Sequence, residues 1–99
     1  MFNHWFGALE DKQNSIKKEL RSEKIHFVMN GLAIEATADR VITNIQIDPA
    51  LMEDREQLED LMVVTMNEVL KKISEKETEI SQRMLKDMIP PGFDSLFGG

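Results

Sequence analysis

Cysteine is absent from the 99 residues, and histidine occurs only twice. Without cysteine there is neither a disulfide framework nor a thiolate metal site. His4 and His26 lie at no helical metal spacing from another ligand. None of the five glycines builds a phosphate-cradling loop. Ser15, Ser22, Ser74, Ser81 and Ser95 have no elbow glycines around them. Asp48, Glu53, Asp54, Glu56, Glu59 and Asp60 lack the turn glycine and closing glutamate of a calcium loop, so helix capping and dipole matching account for them better. No enzyme, cofactor, metal site or small-molecule substrate is expected. Long apolar runs are missing too. The longest useful one, Leu61 to Val64, falls far short of the roughly 18 residues of a membrane span. The opening MFNHWFGALED has no basic region followed by an apolar block. Neither secretion nor membrane insertion is expected, and a cytoplasmic location is the default.

What the chain does have is one long helical stretch, 54–88. Asp48-Pro49 precedes it as a turn or a first helical position, since the amide missing from proline is harmless there. Asp54 is the expected N-cap. Gln57 lies three residues on, and Glu56, Glu59 and Asp60 crowd the turns where the helix dipole favours negative charge. Leu58, Met62, Val69, Ile73, Ile80 and Met84 recur near the helical period, with Thr65 filling a gap. Nothing breaks this helix before Pro90. Thirty-five residues at about 1.5 Å rise span about 50 Å, whereas a compact chain of this size has a radius of gyration of about 13 Å. The helix must overhang its own core. Up to Ile73 the apolar residues cover more than one face, adding Leu61, Val63, Val64 and Met66. Beyond it only Ile80, Met84, Leu85 and Met88 remain. The first half is therefore core and the second half an arm.

Hydrophobic content of 41% beside 30% charged residues fits a single globular domain over 1–99. The remaining elements make its class α+β: an N-terminal helix, a three-stranded antiparallel sheet and the long C-terminal helix. Residues 8–23 are good helix formers with a thin stripe of Leu9, Ile16 and Leu20, so this helix rests on something along one line. Between 25 and 47 the period changes to two. Ile25, Phe27 and Met29 lead to Asn30-Gly31, a strong hairpin signal, and Leu32, Ile34 and Ala36 continue on the same face. After a second turn at Thr37 to Arg40, Val41, Thr43, Ile45 and Ile47 are expected to complete one apolar face. Phe2, Trp5 and Phe6 are expected to tuck onto the body or onto the first helix, the alternative being a hydrophobic anchor for a partner. The tail 89–99 stops the helix at Pro90-Pro91 and is expected to return Phe93 to the body.

The net charge of −6 alone argues against nucleic acid, whose binding draws on phosphate neutralisation. Its distribution argues otherwise. From Asp48 to Asp60 six acids face one base; from Lys12 to Lys24 five bases face two acids; from Lys71 to Lys86 five bases face three acids. The acidic excess sits at the start of the long helix, and the tips of the fold are mildly basic.

Ile47-Asp48-Pro49 with Leu51, Glu59-Asp60-Leu61, Asn67 in mid-helix and the closing Pro90-Pro91-Gly92-Phe93 resemble the YbaB/EbfC family of bacterial nucleoid-associated proteins. The order of elements fits as well. The resemblance implies a small homodimer joined through its sheet region, with protruding helical arms that bind DNA on the nucleoid with weak sequence preference. On that resemblance Lys12, Lys17, Lys18, Arg21 and Lys24 of the first helix contact phosphates, as do Lys71, Lys72, Lys76, Arg83 and Lys86 of the long one. The alternative is a dimeric protein-interaction module of the same fold with little DNA affinity.

Overall fold

The computed structural model describes the backbone of residues 2–88 and the side chains of residues 7–87. The side chains of Phe2, Trp5 and Phe6 and the tail 89–99 with Phe93 lie outside the described residues. In chain order the elements are α1 (Phe2–Ser22), β1 (Lys24–Met29), β2 (Leu32–Thr37), β3 (Val41–Ile47), a single 3₁₀ segment (Pro49–Glu53) and α2 (Arg55–Met88). The class is α+β, as the sequence predicts. Helix α1 starts six residues ahead of the expected 8–23. Gly7 does not stop it, and a Cβ added there would meet nothing within 4 Å.

The strands form an antiparallel meander in the order β1-β2-β3. Asn30 and Gly31 have φ of 47° and 93°, the pair of positive values that a two-residue type I′ hairpin needs. Gly31 is required twice over, because a Cβ there would sit 3.0 Å from the Cβ of Asp48. Register then decides which side chains reach the core. Ile25 pairs with Ala36, Phe27 with Ile34 and Met29 with Leu32. Across the other edge of β2, Leu32 pairs with Ile47 and Ile34 with Ile45, but Ala36 meets Ile42. Thr43 is therefore an extra residue in a β-bulge, which shifts the alternation of β3 by one. The expected face of Val41, Thr43, Ile45 and Ile47 is corrected accordingly: Ile42, Ile45 and Ile47 share the core face, and Val41 pairs with Thr37 on the other.

Two caps place the long helix. Asp48 accepts a hydrogen bond from the amide of Ala50 at 2.9 Å and starts the 3₁₀ segment, with Pro49 in its first turn. Asp54 caps α2, its Oδ1 accepting from the amide of Gln57 at 3.2 Å. From there α2 crosses β1 and β2. Leu61, Thr65, Val69 and Ile73, four residues apart, are buried, as are Ile25, Leu32, Ile34, Ala36, Ala38 and Leu51 on the body. Thr65 is fully buried, and its hydroxyl has no hydrogen-bond partner among the described residues. β3 stays outside this cover; every one of its residues but Ile47 is exposed.

The overhang is large. The radius of gyration is 19.1 Å and the longest extent 63 Å. The arm is not a solitary helix, however. Ile80 is only 2% exposed although it lies beyond the body core. It sits between Lys76, which pairs with Glu23, and Arg83, which pairs with Glu19. Glu19 precedes Glu23 while Lys76 precedes Arg83, so α1 runs antiparallel along the outer half of α2 and covers Ile80. The half-buried Leu9, Ile16 and Leu20 form the edge of α1 that a packed helix offers to its neighbour.

Candidate nucleic-acid interface

A helix that buries one thin stripe turns the rest of its surface to water. On α1 that outward surface carries Gln13, Asn14, Lys17, Lys18 and Arg21, all exposed and within about two and a half turns, with Glu10 and Asp11 exposed one turn earlier. Glu19 and Glu23 fall instead on the half-buried flank beside Ile16 and Leu20, close to α2. Over residues 17–23 the charges sort by sign, with Lys17, Lys18 and Arg21 outward and these two carboxylates inward; nearer the start of α1 the order lapses, with Glu10 and Asp11 exposed and Lys12 half-buried.

The ten cations expected to contact phosphate occupy three kinds of position. Lys17, Lys18, Lys24, Lys71 and Lys86 are exposed and form no ion pair among the described residues. Arg21, Lys76 and Arg83 are engaged. Arg21 Nε lies 3.8 Å from the Asp39 carboxylate, and Lys76 Nζ lies 3.2 Å from Glu23 and 3.6 Å from Glu79. Arg83 is paired with Glu19. The hydrogen bond and charge of Glu23 raise the Lys76 ammonium above its ordinary pKa. Lys12 and Lys72 are half-buried, and the Lys72 ammonium stands 5.7 Å from the centre of the Phe27 ring.

A shallow groove between β1 and α2 illustrates the cost of mixing signs. Lys24, Lys72 and Lys76 line it with Glu23, Glu75 and Glu79, so the charges within the groove largely cancel. The acids at the start of α2 stand elsewhere. Lys86 is 26 positions beyond Asp60 on the same helix, or about 39 Å. Lys71 is 11 positions beyond it, or about 16 Å. Both separations exceed the Debye length of about 8 Å at physiological salt, so the acidic end does little to cancel the field at the arm.

Sequence reading missed the carboxylates that occupy the cations. Glu19 and Arg83 are 64 positions apart, and no periodicity within either helix reveals their meeting. Arg40 was also missed. Its φ of 69° turns the β2–β3 connection back so that its guanidinium binds both carboxylate oxygens of Glu77, at 3.0 and 3.2 Å. That bidentate bond tethers the turn to α2 and holds the Glu77 carboxyl below its ordinary pKa. Among the described residues no cluster of three or more His, Cys, Asp or Glu is placed to hold a metal ion, and no helix is long and apolar enough to cross a membrane. His26 is exposed on the outer face of the sheet, paired across the strands with Glu35.

Comparison with known proteins points the same way as the arm. The sequence pattern of the YbaB/EbfC DNA-binding family matches residues 6–88. A nucleoid-associated protein of Flavobacterium johnsoniae is 46% identical over 69 residues, which cover 67% of this chain and 64% of that protein. Nucleoid-associated proteins of Psychrobacter sp. and Bartonella bacilliformis are similar over more of the chain. The first is 33% identical over 94 residues (91% of this chain, 86% of that protein). The second is 32% identical over 90 residues (86% and 83%).

Proposed function

Because the chain belongs to the YbaB/EbfC DNA-binding family, we propose that it binds duplex DNA on the bacterial nucleoid, as a homodimer, through phosphate contacts from its two-helix arms. The observation that carries this reading is the sorting of charge over residues 17–23, at the C-terminal end of α1. Lys17, Lys18 and Arg21 face outward while Glu19 and Glu23 turn to the seam with α2. Lys24, Lys71 and Lys86 extend the cationic surface over the base and tip of the arm. Phosphate contacts fix position without reading bases, so preference among sequences is weak.

The uncovered side of the molecule supports the dimer. Ile42 and Ile45 on the core face of β3 are 37% and 39% exposed. The flank of α2 on which Glu77 reaches the β2–β3 turn also carries Leu70, seven residues earlier, and Val63, seven earlier again. These are 53% and 62% exposed. A sheet edge and a helix flank with this much apolar surface suit a second copy joined through the sheet region, which leaves both arms free.

Titration of unrelated duplexes of equal length, followed by fluorescence anisotropy at 50 and 200 mM salt, tests the reading. Five unpaired cations predict a slope of log affinity on log salt of about −4.5 for one arm, an affinity loss of about 500-fold, nearly independent of sequence. No binding at 50 mM salt, or a flat response, rejects it in favour of a protein-interaction module of the same fold.

A further inference from the structure

Two arm cations are spoken for before DNA arrives. Lys76 and Arg83 lie on one face of α2, seven residues apart, and each meets a carboxylate from the inward flank of α1. Glu23 directly follows α1 and its amide still donates to the Glu19 carbonyl at 3.1 Å, so the two carboxylates stand one turn apart on the same side. The pairs are not fully in water: side-chain exposure is 32% for Lys76 and 37% for Glu23, 53% for Arg83 and 31% for Glu19. Partly covered pairs are screened less by salt than exposed ones. We propose that Glu19 and Glu23 form an autoinhibitory contact that withholds Arg83 and Lys76 from the DNA backbone. The proposal rests on the DNA-binding reading above and adds a limit on how many arm cations that binding uses. Affinity is thereby held below what the full count of arm bases would give.

The experiment compares salt slopes of the full chain with those of three variants on one duplex. Glu19→Gln with Glu23→Gln keeps side-chain shape, frees Arg83 and leaves Lys76 only the exposed Glu79 at 3.6 Å, a weak surface pair that a DNA phosphate displaces. The slope should steepen by about 1.8, so that raising salt from 50 to 200 mM costs about twelvefold more affinity than in the wild type. Adding Lys76→Gln and Arg83→Gln to that variant should restore the wild-type slope. Glu10→Gln with Asp11→Asn removes the same charge from exposed positions of α1 and should leave the slope unchanged. Equal steepening in that control would overturn the proposal, because net charge alone would then explain the gain. So would an unchanged slope, or a flatter one reflecting loss of α1, in the Glu19/Glu23 variant with wild-type binding intact. Absence of duplex binding in the wild type and all variants would instead remove the DNA-binding reading, and the proposal with it.

Discussion

Truncating Ile80 to alanine separates the arm from the body. The side chain is 2% exposed and stands outside the body core, under α1 and between the Lys76 and Arg83 pairs. The change removes three carbons, worth about 2.4 kcal/mol at roughly 0.8 kcal/mol each, and an unrelaxed cavity carries large-to-small substitutions of this kind into a range of about 2–5 kcal/mol. Little else holds α1 down. Among the described residues its apolar edge is three half-buried side chains, Leu9, Ile16 and Leu20, and ion pairs that keep this much contact with water contribute about 0–1 kcal/mol each. A helix of 21 residues has marginal stability when undocked. The loss at Ile80 is therefore a large share of what the described residues contribute to docking α1. Hydrogen exchange followed residue by residue should show α1 amides exchanging about 50-fold faster or more, while the β2 amides keep wild-type protection. Ile73→Ala, inside the body core, should instead lower protection of β2 and α1 together. Wild-type protection of α1 in the Ile80 variant would refute this account of the arm. Parallel loss in β2 would refute it equally.

Three further outcomes follow from named contacts. Thr65→Val removes a fully buried hydroxyl that has no partner among the described residues, and such orphans cost about 1–3 kcal/mol. The variant should melt at least about 4 °C higher at fixed protein concentration, and a lower melting temperature would show that the hydroxyl is bonded after all. Arg40 holds the Glu77 carboxyl below its ordinary value of 4.5, so the pair stabilises the fold above that pH and ceases to do so as pH falls through the lowered value. Denaturant titration should find Glu77→Gln less stable than wild type at neutral pH, with the deficit shrinking as pH falls through the lowered value; a deficit that stays constant into acid would sink the assignment. Lys17→Glu with Lys18→Glu should flatten the salt slope of DNA binding by at least about 1.8 and move stability by no more than about 0.5 kcal/mol. A large loss of stability would mean these lysines face the body.

Local chemistry was legible in the sequence; meetings between distant segments were not. Asp54 could be named as a cap because the carboxylate and the amide it serves lie three residues apart, and Asn30-Gly31 because only a turn with two positive φ values favours that pair. The overhang was legible from length alone, since nothing interrupts α2 before its end. Helix α1 was begun too late because Gly7 counts against a helix interior, yet a single glycine costs only about 1 kcal/mol there. The face of β3 was misread because a bulge inserts one residue, Thr43, and alternation has no signal for it. At the candidate interface, the thin stripe of α1 leaves Lys17 and Lys18 exposed as spacing requires, but Lys12, grouped with them, is half-buried. Spacing could not show that Arg83 would meet Glu19 or Lys76 meet Glu23, because those contacts depend on how two helices lie across each other.

The central claim is that DNA lies against the outward cations of the arm and away from the acidic start of α2. Backbone amide shifts followed by NMR during titration with a short duplex test it directly. The account predicts that the largest changes fall on Asn14 to Arg21 and around Lys86, with Glu53 to Asp60 unmoved. Changes centred on the outer face of the sheet or on Glu53 to Asp60, with α1 silent, would contradict it.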